Sequence, residues 1–327
     1  MKNLFNTPIW KEFWPKLQVN IFKSELWQSA VVLAILFTFW PGIIHQTVNV
    51  LSADNYFFSD EFTAPYNLEE LELASLGAVV LELPEGQVIG ELEPDLELPL
   101  ASLTKLMTAR LVIDQDFPLQ NQFKMTASSN SELLKYYRAR GDSISYLRVK
   151  DSEPVKIYDL LASGLIGSAN NSMAALAEAS DYSAEEFIRL MNQKADELEF
   201  KSTNFADSTG LLPDNTGTAY EIARLAQNTW RNPLLKKLSG LPQIKFKTGS
   251  GEWHTIKNTN RLVINPSKKY AVVASKTGYL EEAGSSIVFQ IKFKNNKEYI
   301  VALLNAPEAG SRVEDVTKVI SWLGQRE

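Results

Sequence analysis

The chain has 327 residues, 45% of them apolar and 22% charged, with 33 basic and 39 acidic side chains and a formal net charge of −6. That is enough material for one large domain or two small ones, it excludes a disordered or low-complexity chain, and its acidic balance argues against nucleic-acid binding as the main task. The absence of Cys removes disulfides, thiolate nucleophiles and Cys-ligated metal centres, and with only His45 and His254 any Ser-His-Asp triad would have to use His254.

The first element is apolar. No Lys, Arg, Asp or Glu occurs from Leu26 to Ala53, and the densest part is LWQSAVVLAILFTFWPGII. Its nineteen residues, at about 1.5 Å each, span about 28 Å as a helix, enough to cross a bilayer core. Lys2, Lys11, Lys16 and Lys23 precede it, whereas residues 46–100 hold twelve acidic residues and no basic one. The positive-inside tendency then places residues 1–25 in the cytoplasm, an uncleaved anchor at 26–46, and the rest outside the cell membrane. Competing readings are a cleaved signal peptide, for which the basic head and the apolar run are both too long, and a buried soluble helix. Residues 47–70 read as an acidic linker and 71–327 as one extracytoplasmic domain.

Within that domain, two β-branched runs flank Pro84-Glu85-Gly86, a hairpin signal. Apolar residues recur at helical spacing over 103–113 and 157–165, followed by an Ala-rich helix over 173–178. A helix over 183–198 opens with the capping-box pattern Ser-Ala-Glu-Glu, and another helix covers 218–230. Strands are expected at 243–248, 253–257, 270–276, 286–292 and 298–304, and a closing helix at 312–323. Strands at both ends with helices between them predict an α+β domain: an antiparallel sheet built from both chain ends, flanked by helices, with a helical insertion.

Three motifs carry chemistry. In Ala101-Ser102-Leu103-Thr104-Lys105, a Ser at a helix start has a Lys one turn later on the same face. A Ser hydroxyl needs a base, and Lys serves as one when burial or a nearby cation lowers its pKa. Ser168-Ala169-Asn170 sets a hydroxyl and an amide two residues apart between two helices. Lys276-Thr277-Gly278 ends a strand, with the Gly leaving room for a substrate strand at the sheet edge. S-x-x-K occurs once, but S-x-N recurs at 128–130 and 202–204, and K-T-G at Lys247-Thr248-Gly249.

In chain order the three motifs match the S-x-x-K, S-x-N, K-T-G set of penicillin-binding proteins and class A β-lactamases. With the flanking stretches LELPLASLTKLMTA, DLLASGLIGSANNSMAALAE, FADSTGLLPDN and VVASKTGYLEEAGSSIVFQ, residues 72–325 resemble the D-alanyl-D-alanine carboxypeptidase family of low-molecular-mass penicillin-binding proteins. The resemblance selects Lys276 over Lys247, since the triad follows Asn258-Thr259-Asn260-Arg261-Leu262 and precedes Ala283-Gly284. It implies Ser102 as the acylated nucleophile, Lys105 as its base and Ser168 as a proton relay. It also implies Asn170, Lys276, Thr277, Gly278 and Arg312 as substrate-binding residues, and the backbone N–H groups of Ser102 and Tyr279 as an oxyanion hole. No metal or cofactor is implied. The implied partners are peptidoglycan stem peptides ending in D-Ala-D-Ala, β-lactams as covalent inhibitors, and the membrane through the N-terminal helix. The implied activity is a serine-type carboxypeptidase; the alternatives are a D,D-endopeptidase on crosslinks, a β-lactamase (for which no E-x-x-L-N segment follows S-x-N) and an inactive cell-wall-binding scaffold. Two positions depart from the family: Ala169 stands where Gly is usual, and Asn171 where Asp is frequent.

Overall fold

Alternation along the strands determines the layers. A computed structural model describes residues 64–126 and 144–326 of the chain. Its strands are β1 (Tyr66–Asn67), β2 (Gly77–Glu82), β3 (Gln87–Leu92), β4 (Leu98–Pro99), β5 (Gln122–Lys124), β6 (Pro154–Lys156), β7 (Thr216–Gly217), β8 (Gln243–Lys247), β9 (Trp253–Lys257), β10 (Tyr270–Leu280), β11 (Gly284–Phe293) and β12 (Glu298–Ala306). Its α-helices are α1 (Lys105–Asp114), α2 (Ile157–Ile166), α3 (Asn170–Glu178), α4 (Ala184–Glu197), α5 (Ala219–Trp230), α6 (Pro233–Gly240), α7 (Arg261–Ile264) and α8 (Ala309–Gly324).

Six strands form one sheet in the order β1-β3-β2-β12-β11-β10, so the chain ends meet in the middle and β10 is an edge. All pairings are antiparallel except β1 with β3. The central strands are buried on both faces. Val79 and Leu81 of β2, with Ile300 and Ala302 of β12, face a core shared with α1, α2, α3, α5 and α6. Ala78 and Val80, with Val301 and Leu303, face a second core closed by α8 through Val316, Val319 and Leu323. A strand covered on both faces has no polar side, hence the unbroken GAVVL run. The helices start where their caps stand: Ser183 accepts from the Glu186 N–H at 3.2 Å, Thr218 from that of Glu221 at 3.1 Å, and Asn232 from Leu234 and Leu235 ahead of Pro233.

Two boundaries differ from expectation. The domain begins before Leu71: Tyr66 and Asn67 pair with Gly90 and Glu91, Leu68 is fully buried, and the Tyr66 ring lies 5.3 Å from that of Trp322. The acidic texture of this stretch belongs to the outward-facing Glu69 and Glu70 of one 3-10 turn (Leu68–Leu71), which hid its apolar anchors. Strand β10 also runs on to Leu280, because its register with β11 continues to the Leu280–Gly284 pair. Lys276-Thr277-Gly278 therefore lies inside an edge strand and does not end it. The anchor at 26–46, the residues on either side of it up to 63, and the S-x-N at 128–130 lie outside the described residues. Among the described residues no helix is long and apolar enough to cross a membrane.

Candidate active site

A 3-10 turn (Ala101–Thr104) leads directly into α1, so Ser102 and Lys105 fall one tight turn apart. The Lys105 ammonium nitrogen Nζ lies 2.7 Å from Ser102 Oγ. Around it, α1 turns Leu106, Met107, Ala109 and Val112 into the core, which leaves Lys105 no access to water. Nζ also donates to Asn170 Oδ1 at 2.7 Å and to the Thr209 carbonyl. Desolvation pulls the Lys105 pKa from 10.5 down to about 7, against the opposing pull of the Asp207 carboxylate. An amine that is half neutral near pH 7 and in contact with a hydroxyl is chemically competent to take its proton.

Asp207 builds the loop that supplies the Thr209 carbonyl. Its carboxylate accepts from the Thr209 hydroxyl at 2.6 Å, from the N–H groups of Thr209, Gly210 and Leu212, and from Asn215 Nδ2 at 2.8 Å. Gly210 sits at φ +79°, and a Cβ there would stand 1.8 Å from the Ala101 carbonyl oxygen, so only Gly lets this loop close on the Ser102 turn. Ala101 itself, next to Ser102, has a positive φ of 47°, as does Ser168 at 59°. Non-glycine residues held in this region mark sites where the surroundings over-determine the backbone.

The opposite wall comes from β10 and the α2–α3 turn. Lys276, buried like Lys105, donates to Ser168 Oγ at 2.9 Å and to the Thr277 carbonyl at 2.7 Å. Desolvation drives its pKa well below the ordinary value, and the neighbouring Lys105 and Arg312 charges push the same way. Thr277 Oγ1 lies 2.7 Å from Thr259 Oγ1. Arg312, in the first turn of α8, donates to Ser285 Oγ at 2.8 Å, and burial lowers its pKa. Asn170 bridges the two walls, accepting from Lys105 and donating through Nδ2 to the Ser145 carbonyl at 3.0 Å. Asn171 pins the same segment by exchanging both amide hydrogen bonds with Leu147, at 2.8 and 2.9 Å. A carboxylate could not make the second of these.

Between the walls lies a cleft of about 250 Å³ lined by Ser102, Ser168, Asn170, Thr277, Gly278, Tyr279 and Arg312, with Ile144, Ser145, Leu211, Thr259, Leu280 and Glu281. Lys105 and Lys276 form its floor through their bonds to Ser102 and Ser168. The nine residues singled out from the sequence thus converge. Tyr279, 59% exposed, stands at the lip. The reason expected for Gly278 is corrected: a Cβ there would sit 3.0 Å from the Leu100 carbonyl and 3.2 Å from the Ser102 nitrogen, so this Gly lets β10 press on the nucleophile's own turn. The duplicate motifs lie elsewhere. Thr203 of the second S-x-N bonds to Glu221, and Lys247 is exposed on β8. His254 stacks on Phe246 at 5.6 Å and is not among the lining residues. Sequence reasoning missed Asp207, the Thr209 carbonyl, Thr259 and Ser285. The Asp-Ser-Thr-Gly run at 207–210 is a side-chain-to-backbone turn signal that marks the first two; Thr259 and Ser285 carry none. Among the described residues, no group of three or more His, Asp or Glu is placed to hold a metal ion.

A penicillin-binding-protein-like α+β fold, with two buried amines touching two serines in one cleft, defines a class of serine-dependent acyl-transfer proteins. A family model described as D-alanyl-D-alanine carboxypeptidase matches residues 64–308, and the chain belongs to that family of peptidases. It is 32% identical over 256 residues to a D-alanyl-D-alanine endopeptidase of Pseudomonas aeruginosa, covering 77% of this chain and 78% of the relative. It is 28% identical over 304 residues to the protein of the same description from Escherichia coli (92% and 88% covered), and 29% identical over 255 residues to the D-alanyl-D-alanine carboxypeptidase DacF of Bacillus subtilis (77% and 63%). The Streptomyces K15 DD-transpeptidase shares the fold, with a TM-score of 0.69 at 23% identity over 76% of this chain and 97% of that one.

Proposed function

We propose that the protein is a serine-type D,D-carboxypeptidase that trims peptidoglycan stem peptides ending in D-Ala-D-Ala through an acyl-enzyme on Ser102. The observation that carries this reading is the 2.7 Å contact between Ser102 Oγ and a desolvated Lys105 amine. In the acylation step neutral Lys105 takes the Ser102 proton as Oγ attacks the penultimate carbonyl. The backbone N–H groups of Ser102 and Tyr279 face the developing oxyanion. Ser168, its Oγ held by Lys276, relays a proton to the departing amine, the C–N bond breaks and D-Ala leaves. Water then attacks the ester, and Ser102 regains its proton. Thr277 and the Arg312 fork pair with the terminal carboxylate, a task suited to a planar guanidinium. The substrate strand lies along the free edge of β10, where unpaired backbone groups accept an added strand. Incubation with a fluorescent penicillin followed by mass mapping tests the assignment: the adduct is expected on Ser102, and no adduct, or an adduct elsewhere, overturns it.

A second reading has a specific observation behind it. Thr259 and Arg312 of the cleft also line a neighbouring groove of about 1010 Å³ along α8, far more room than a single D-Ala leaving group needs. Together with the relatives described as endopeptidases, this space favours cleavage of D,D crosslinks, with the second stem as leaving group. Digestion of intact sacculi separates the two readings, since a fall in crosslinked dimers scores the endopeptidase. We further propose that residues 26–46 anchor the domain outside the cell membrane with residues 1–25 in the cytoplasm. Alkaline extraction should leave the full chain in the membrane fraction, and its release would refute the anchor.

A further inference from the structure

The β8–β9 hairpin presents a face that the chemistry above does not use. Its inner side, Phe246 and His254 with Ile244 and Ile256, is the more buried, and Ile244, Phe246 and Ile256 pack on the helical core. Its outer side carries Gln243, Lys245 and Lys247 on β8 opposite Lys257, Thr255 and Trp253 on β9, all exposed. Trp253 is 60% exposed, and the Lys245 and Lys247 ammonium groups lie 4.9 and 5.9 Å from its ring centroid. Among the described residues none of the three lysines has a carboxylate partner within ion-pair distance, although the chain as a whole is acidic. The hairpin is also built into the cleft. Thr259, two residues beyond β9, lines it, and Gly167, just before Ser168, packs so closely on Ile256 that a Cβ there would stand 2.4 Å from its methyl.

We propose that this face is a second contact for the anionic cell-wall polymer that carries the stem peptides, with Trp253 stacking on a sugar ring and Lys245 and Lys247 pairing with carboxylates. The inference rests on the peptidase reading and names how the same site engages a polymeric substrate. Charge complementarity selects the occupant: two cations at one aromatic ring and a third, Lys257, further along the same face, with no other apolar side chain on it, suit a hydroxyl- and carboxylate-rich polymer, whereas a membrane-inserting face needs more apolar area. A weak second contact raises the local concentration of stems at the cleft without altering the chemistry on any one of them.

The test uses the full chain carrying Ser102→Ala, so that capture is read without turnover, against purified sacculi. Trp253→Ala and the pair Lys245→Gln/Lys247→Gln are each expected to weaken sacculus capture at least about fivefold, while Trp253→Tyr, which keeps a ring, retains most of it. In the Ser102 background, hydrolysis of a soluble pentapeptide should stay within about twofold for every variant. Unchanged capture by both variants, or a loss confined to vesicles of phosphatidylglycerol, overturns the proposal. A wild-type chain that neither trims the soluble pentapeptide nor lowers crosslinked dimers in sacculi refutes the peptidase reading instead, and sacculus capture still scores the face. The lysine pair keeps the ring packing, so it decides the question if Trp253→Ala fails to fold.

Discussion

The sequence contains the same tripeptide twice, and the two copies have opposite fates. Lys247-Thr248-Gly249 ends an exposed hairpin strand: its Lys lies in solvent beside Trp253, and its Gly leaves the strand against Pro154. Lys276-Thr277-Gly278 lies inside an edge strand that the rest of the molecule encloses. There the Lys has no access to water, touches Ser168, and is near two more cations. Local sequence is nearly constant between them, so the chemistry comes from desolvation and from partners supplied by distant segments. A solvated ammonium is only a charge, whereas a buried one is a tunable acid or base.

The largest effect sharpens the contrast at its reactive end. Ser102→Ala should abolish covalent labelling by penicillin, and Lys105→Ala should slow acylation by about 10³-fold or more with the thermal midpoint little changed; retained reactivity in Lys105→Ala means that another group is the base. Next comes the direct comparison. Lys276→Ala is expected to lower acylation about 10²-fold or more, and Lys247→Ala to leave the rate on soluble substrate within about twofold; equal losses would break the distinction between the copies. The third effect is one of pH. Because Lys105 must be neutral to accept a proton, acylation should fall as the pH drops through about 7, by about tenfold per unit below that midpoint. The stability linkage has a definite sign. The folded-state pKa lies below the unfolded 10.5, so between about 7 and 10.5 the unfolded chain binds the extra proton, and the Lys105 contribution to stability rises with pH across that window. Rate measurements and denaturant titrations at several pH values check both. The smallest effects concern the two glycines. Gly278→Ala displaces the Ser102 turn by a few tenths of an ångström and should slow acylation about tenfold, while Gly249→Ala presses on Pro154 and should leave it within about twofold.

Much of the scaffold was legible because it is local. The cap residues Ser183 and Thr218 and the hairpin around Pro84–Gly86 all mark boundaries that the fold respects. Where the reading missed, longer range was responsible. The Leu68 anchor was masked by acids one residue away, and β10 ran past Ser275 because its partner strand continues. Asp207 escaped notice because its role is to shape a loop whose only contribution to Lys105 is a backbone carbonyl, which no residue type announces.

By itself the sequence determined that Ser102 and Lys105 share a face, because three residues on a helical turn bring two side chains together whatever surrounds them. It also determined that no thiolate could take part, since Cys is absent, and that a Ser-His-Asp triad could use only His254, which the fold then stacks on Phe246 and leaves out of the cleft lining. Only the tertiary structure decided that Lys105 sheds its charge near neutrality, that Lys276 reaches Ser168 across 108 positions of chain, and which of two identical tripeptides enters the cleft. The reason is that geometry within one turn is encoded by periodicity, whereas the free energy of a charge depends on how completely distant segments exclude water from it.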